Sequence, residues 1–231
     1  MSSAFKRAAA ALVLATGAVA AQAANVTLTG WAFGSGNVVH GNVYSGWAGG
    51  FRGALVGSGG FDTSSFVTYC VELTESFSFS AAPMTGYAVV PGASYFGTDK
   101  SERLGRLMTY VGDHPSEVDT AAESTSLQLA IWNIVYDNDF SLNAPGSYND
   151  TSAYAAQANA LLAGAQGLAS SAVNVFALQR SGSQDFLLTS PRLSTTVGLP
   201  PGRVPEPATL ALALLGLIGS GLASRRLRSG A

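Results

Sequence analysis

The pattern of apolar and polar positions divides the middle of the chain into strands, a helical block and strands again. Residues 25–31 alternate apolar and polar side chains, as a strand with one buried face does. Similar runs predict strands at 51–57 and 86–90, and the glycine-rich stretch 34–50 predicts hairpins and loops. Further strands are predicted at 65–73, 75–80, 173–179 and 184–188.

Three helices are predicted between the two groups of strands. The first begins near Asp99 and carries an apolar stripe at helical spacing until the sequence GDHP ends it. The second starts at a capping box formed by Thr120 and Glu123 and runs to about Tyr136, and the third covers about 152–169. Strands on both sides of a helical block predict an α+β fold, a β-sandwich or small barrel with a helical insertion.

The N-terminal residues differ from this body. Residues 1–23 contain a short basic segment, an apolar run and an A-x-A sequence that ends at Ala23. This order is typical of a secretory signal peptide, which signal peptidase removes after Ala23. The apolar run is too short for a membrane anchor. We therefore expect residues 24–193, with helices near 99–170, to be exported as one β-rich domain.

The C-terminal residues carry a second targeting pattern. A polar linker at 194–203 precedes a proline-rich sequence, and prolines exclude helix there. Residues 208–223 carry no charge and predict a transmembrane helix. Arginines beside such a helix stay on the cytoplasmic side, so the body is expected outside. The proline-rich sequence is Val204-Pro205-Glu206-Pro207, and the basic cluster is Arg225, Arg226 and Arg228.

This three-part end resembles the PEP-CTERM sorting signal of Gram-negative bacteria. The likeness covers residues 204–228 only. It implies recognition by an exosortase, a membrane-embedded cysteine transpeptidase that would cleave near 204–207. The implied route passes through the inner membrane and ends at the outer surface or in the extracellular matrix, where such proteins accompany exopolysaccharide. The alternative is a permanent C-terminal anchor.

Without its two ends the chain is more acidic. Residues 24–203 carry thirteen acidic and seven basic side chains, whereas the whole chain has a net charge of −2. Recognition of nucleic acid requires a basic face. The charge therefore argues against nucleic acid as a partner and leaves polar extracellular material.

Two residues of the body have unusual surroundings. Cys70, the only cysteine, lies on the more polar face of the predicted strand 65–73. Gln128 lies at the edge of the apolar stripe of the second helix, and a buried carboxamide needs partners for its oxygen and its nitrogen. One reaction would consume both groups: the thiolate attacks the side-chain carbonyl, expels ammonia and leaves an internal thioester. Tyr69 and Trp132 would shield that bond from water.

The residues around this pair resemble the thioester domain family of bacterial surface adhesins. The sequence YCVE at 69–72 is similar to the first motif of that family, and LQLAIW at 127–132 is similar to the second. The resemblance implies that Cys70 and Gln128 form the bond. It also implies a domain that attaches covalently to amines on a target, such as a lysine of a surface protein.

Other roles for Cys70 stay open. It could pack as a small apolar residue, because free cysteines are usually buried, or it could form an intermolecular disulfide. The sequence shows no metal-ligand spacing, cofactor motif or catalytic triad, so we expect a non-enzymatic protein without metal or cofactor. Two hypotheses follow. The protein attaches covalently to amines through the Cys70–Gln128 thioester, or it is a non-covalent structural or carbohydrate-binding component of an exopolysaccharide matrix.

Overall fold

The strands of the protein fall into one large sheet and one separate hairpin. The computed structural model describes residues 23–137 and 139–192, and all statements on structure concern these residues. The strands are β1 (Ala24–Trp31), β2 (Asn37–His40), β3 (Ser45–Ala48), β4 (Phe51–Val56), β5 (Thr63–Thr68), β6 (Met84–Pro91), β7 (Val173–Gln179) and β8 (Phe186–Pro191).

All the described α-helices lie between β6 and β7 in the chain, as the predicted helical insertion requires. A 3₁₀ turn at Pro115–Glu117 follows the second of them. None of the helices within the described residues is long and apolar enough to cross a membrane. The helices are α1 (Gly92–Tyr95), α2 (Thr98–Asp113), α3 (Ala121–Tyr136) and α4 (Ala155–Gln166).

The large sheet is antiparallel and nearly closes into a barrel. Its strand order is β5-β4-β1-β6-β7-β8, and β2 pairs only with β3. The two outer strands approach each other beyond the end of β5, where Cys70 forms an isolated bridge with Phe186. Leu187 N donates to Tyr69 O at 2.9 Å, and Val71 N donates to Asp185 O at 3.1 Å. We call this contact the seam; it decides between the two predicted architectures in favour of a barrel-like sheet.

Helix α3 is buried on all sides. Every residue from 124 to 134 is buried, whereas the sequence predicted only a stripe. The helix packs against α2, α4 and the β2–β3 hairpin. Neighbours on several sides leave no solvent-facing stripe, and the sequence of α3 accordingly lacks the polar face of a surface helix.

The predicted strand at 75–80 is wrong. This segment has no ladder hydrogen bonds. Its alternation of polar and aromatic residues has another cause, since Phe77 and Phe79 both join an aromatic cluster around Phe51. The strand predicted at 65–73 also ends early, at Thr68, and continues only as the seam.

The targeting segments lie almost wholly outside the described residues. The signal peptide was predicted at 1–23, the linker at 194–203 and the sorting signal at 204–228, whose transmembrane helix was predicted at 208–223.

Candidate functional site

The seam fixes the backbone of Cys70. In an antiparallel pair, alternate residues direct their N–H and C=O groups toward the neighbouring strand. At the seam Tyr69 O and Val71 N bond to the chain of β8, so the N–H and C=O of Cys70 point to the opposite side. No strand of the described residues pairs with that side, because β4 begins only at Phe51, which pairs with Thr68. The two polar groups of Cys70 therefore need a partner from elsewhere.

Helix α3 supplies that partner. The helix begins at a capping box, in which Glu123 N donates to Thr120 Oγ1 at 3.3 Å and Thr120 N donates to Glu123 Oε2 at 2.9 Å. This start was predicted from the sequence, and it sets the phase of the helix. Two turns later Gln128 projects from the helix and is fully buried.

The carboxamide of Gln128 pairs with the backbone of Cys70. Cys70 N donates to Gln128 Oε1 at 2.9 Å, and Gln128 Nε2 donates to Cys70 O at 2.8 Å. The side chain thus replaces a missing strand neighbour, and both of its polar ends are satisfied in the interior. The N–H of Cys70 also polarises the carbonyl of Gln128, because a hydrogen bond to the oxygen stabilises negative charge that develops there.

The thiol of Cys70 is almost inaccessible and uncharged. Only 7% of the residue is exposed. Burial raises the pKa of the Cys70 thiol well above its ordinary value, and the nearby charge of Glu72 raises it further. A neutral thiol reacts slowly with solvent reagents, since the thiolate is the nucleophile.

Cys70 and Gln128 lie at the wall of a cavity of about 630 Å³. We call it the aromatic cavity. Trp132, one helical turn after Gln128, lines it as well, and its buried Nε1 has no hydrogen-bond partner among the described residues. Further aromatic side chains complete the wall: Trp31, Tyr44, Trp47, Phe51, Phe77 and Phe79.

Tyr69 does not line the aromatic cavity. Its hydroxyl lies 3.3 Å from Ser124 Oγ on α3, and burial raises the pKa of Tyr69 to about 12. The structure therefore brings Cys70, Gln128 and Trp132 together at the cavity wall. Tyr69 lies outside the cavity lining, and its hydroxyl connects the end of β5 to α3 through Ser124.

Two carboxylates of the aromatic cavity were missed by the sequence reasoning. Glu72 and Glu75 both line it. Glu72 Oε1 accepts a hydrogen bond from Glu75 N, and Glu75 Oε1 accepts one from Gly182 N at 3.0 Å. The only signal in the sequence was the alternation of polar and aromatic residues at 75–80, which was interpreted as a strand rather than as a cavity wall.

The residues described by the structure hold no group of three or more His, Cys, Asp or Glu side chains that could bind a metal ion. The reactive and polar groups at the cavity wall are the Cys70 thiol, the Gln128 carboxamide and the carboxylates of Glu72 and Glu75.

Comparison with known families adds one finding. Residues 203–228 match the PEP-CTERM protein-sorting motif. The motif marks the chain as an exosortase substrate. This exosortase substrate is exported, with the cell surface or the extracellular matrix as its destination. The match confirms the predicted sorting signal. The roles predicted for residues 204–207 and for Arg225, Arg226 and Arg228 stay predictions. Comparison with curated proteins and with solved structures gave no match.

Proposed function

We propose that this exported protein attaches covalently to amines through an internal thioester between Cys70 and Gln128. The observation that supports the proposal is the hydrogen bond from Cys70 N to Gln128 Oε1, which holds the only cysteine and a buried carboxamide side by side at the wall of one cavity. The reaction is stoichiometric. The protein is consumed by it and is not an enzyme.

Bond formation exchanges one acyl partner for another. Sγ of Cys70 attacks Cδ of Gln128, the C–N bond breaks, and the thiol proton leaves with the amide nitrogen as ammonia. An arriving uncharged amine later attacks the same carbon. The C–S bond then breaks, an amide forms, and a proton from the amine returns to sulfur. No oxidant or reductant is required in either step.

The surroundings of Cys70 suit storage of such a bond. The N–H of Cys70 stays in place to bind the acyl oxygen in both steps. A thiol of high pKa is a poor leaving group, so hydrolysis of the thioester is slow while the site excludes water. Aromatic walls help to exclude it, and a target amine would approach the bond through the cavity.

Intact mass measurement tests the proposal. The exported protein should weigh one ammonia less than the sequence between its observed ends. Cys70→Ala and Gln128→Met variants should each show the full expected mass. Methylamine should add to the wild-type protein only. A wild-type protein of full mass, isolated at neutral pH without amines, would contradict the proposal.

A second candidate, non-covalent binding of carbohydrate, is favoured by the rim of the same cavity. Trp47 is 61% exposed and Phe79 is 42% exposed. Their rings lie 6.5 Å and 5.6 Å from the ring of Trp31. Exposed aromatic faces are suitable for stacking against sugar rings. If the protein binds carbohydrate non-covalently, binding to the polysaccharide of the producing cell persists in Cys70→Ala and is lost in Trp47→Ala.

A further inference from the structure

The aromatic cavity carries uncompensated negative charge. Glu72 and Glu75 are the charged residues that line it, and no lysine, arginine or histidine of the described residues does so. A third carboxylate, that of Asp185, lies outside the cavity lining and accepts hydrogen bonds from Tyr95 Oη and Arg180 N. Burial raises the pKa of Asp185, and the charges of Glu72 and Glu75 raise it further. Within residues 23–137 and 139–192, none of the three carboxylates forms an ion pair. A cation in the cavity would relieve this repulsion.

The cavity also holds an unused hydrogen-bond donor. Trp132 is 2% exposed, yet its Nε1 has no acceptor within the described part of the chain. Buried polar groups normally have partners, and each exception requires an explanation. An oxygen atom on a molecule that enters the cavity would provide the missing acceptor.

The aromatic rings of the cavity indicate a third property of its ligand. Trp31, Trp47 and Phe79 present rings around the same space. Aromatic rings bind the apolar face of a flat ring, and they also attract a cation placed over them. A ligand for the whole cavity thus combines a positive charge, an oxygen acceptor and an apolar face.

We propose that the aromatic cavity takes an amino sugar whose amine is free rather than acetylated. Its ammonium group would lie near Glu72 and Glu75, a hydroxyl or ring oxygen would accept from Trp132 Nε1, and the sugar ring would stack on the aromatic rim. A polyamine supplies the charge without the oxygen, and a neutral sugar supplies the oxygen without the charge.

The covalent consequence rests on the function proposed above. In a chain of amino sugars, one uncharged amine attacks Cδ of Gln128 and becomes an amide, and the Cys70 thiol is restored. A neighbouring sugar keeps its ammonium group beside the carboxylates. Recognition itself does not require the thioester, so the two ideas are separable by experiment.

Binding is measured on the full exported chain with Cys70→Ala, which cannot form a thioester. Calorimetric titration compares a glucosamine trimer, an N-acetylglucosamine trimer and 1,5-diaminopentane at one low salt concentration. The glucosamine trimer should bind about ten-fold more tightly than either of the others, and added salt should weaken it. Equal binding of the acetylated trimer, or equal binding of the diamine, would overturn the proposal.

Variants of the Cys70→Ala protein test what each lining residue contributes to binding. Replacing Glu72 and Glu75 together by glutamine should remove the preference for the free amine. Trp132→Phe should weaken the glucosamine trimer but leave 1,5-diaminopentane unchanged, because only the N–H is lost. Asp113→Asn removes an exposed carboxylate that does not line the cavity and serves as the charge control. Thermal melts verify that each variant is folded. A preference that survives the double replacement contradicts the assignment.

A separate mass measurement keeps the two proposals apart. Wild-type protein incubated with the glucosamine trimer should gain the mass of the trimer on Gln128. If Cys70→Ala binds the trimer selectively and the wild type shows neither loss of ammonia nor an adduct, the thioester fails and the sugar site stands. If an adduct forms without selectivity between amines, the sugar site fails and the thioester stands.

Discussion

The carboxamide of Gln128 bonds to both the N–H and the C=O of Cys70, at 2.9 Å and 2.8 Å. Cys70 also bridges to Phe186 at the seam of the barrel. One residue thus joins the two ends of the sheet on one side and the central helix on the other. The arrangement gives Gln128 a structural role whether or not a covalent bond forms, so tests of stability and tests of chemistry have to be kept apart.

Replacing Gln128 by methionine should destabilise the protein while keeping the side-chain volume. The variant leaves the buried N–H and C=O of Cys70 without partners, and each such group costs about 1–3 kcal/mol, so we expect a loss of about 2–6 kcal/mol. Urea denaturation of the Cys70→Ala protein, which cannot form a thioester, with and without Gln128→Met measures it.

The control for this experiment is Gln166→Met at the exposed end of α4, which should change stability by less than about 0.5 kcal/mol. If Gln128→Met does not lower the stability of the Cys70→Ala protein, the two hydrogen bonds do not hold the seam to α3.

Replacing Thr120 by alanine should weaken the start of α3. The hydroxyl of Thr120 accepts from Glu123 N, and loss of such a cap costs about 1 kcal/mol. Thermal or urea denaturation detects the change. Thr98→Ala is the matched control, because Thr98 begins α2 and makes no capping bond there. Equal effects of the two replacements would rule out a specific contribution of the capping box.

The thiol of Cys70 should titrate above the ordinary range of cysteine. In Gln128→Met no thioester can form, so alkylation of the free thiol reports its thiolate fraction. The rate of reaction with iodoacetamide should rise only at pH values well above about 8.5, the pKa of an unperturbed cysteine.

Glu72→Gln in this background should lower the pKa of Cys70, because a negative neighbour is removed. Burial is the larger cause, so the pKa should stay raised. The raised pKa of Cys70 also makes the stability of the fold depend on pH. The unfolded thiol ionises above about pH 8.5 and the folded one does not, so the folded state should lose stability as pH rises through that range. A profile centred near 8.5 would contradict burial of the thiol.

Alanine replacements of Trp47 and Phe186 should distinguish a loss of ligand binding from a loss of stability. Trp47 is mostly exposed, and Trp47→Ala should cost less than about 1 kcal/mol while it weakens binding to sugar. Phe186 is fully buried against Phe51, Phe77 and Tyr87, and Phe186→Ala should cost about 3–5 kcal/mol. Denaturation curves and calorimetric titration measure the two effects. A large loss of stability in Trp47→Ala would assign that ring to the core.

The sequence predicted well wherever a local rule sets the structure. The alternation at 25–31 became β1, and the Thr120–Glu123 box became the start of α3, because both depend on residues within one or two turns of one another. The segment 75–80 shows the limit. Its alternation resembles that of a strand, but a strand needs a continuous ladder of hydrogen bonds, and the segment forms only two isolated backbone bonds within the described residues, from Ser80 N to Leu28 O and from Gln184 N to Ser76 O.

By itself, the sequence determined the sorting signal, the helical block between two groups of strands, and the unusual surroundings of one cysteine and of one glutamine on an apolar helix. These are properties of composition and local spacing. Only the tertiary structure decided that the sheet nearly closes into a barrel at Cys70, that Gln128 completes the seam, and that Glu72 and Glu75 line the same cavity as Trp132. These relationships join residues far apart in the chain, and they depend on how the sheet curves and where α3 packs, which no local pattern encodes.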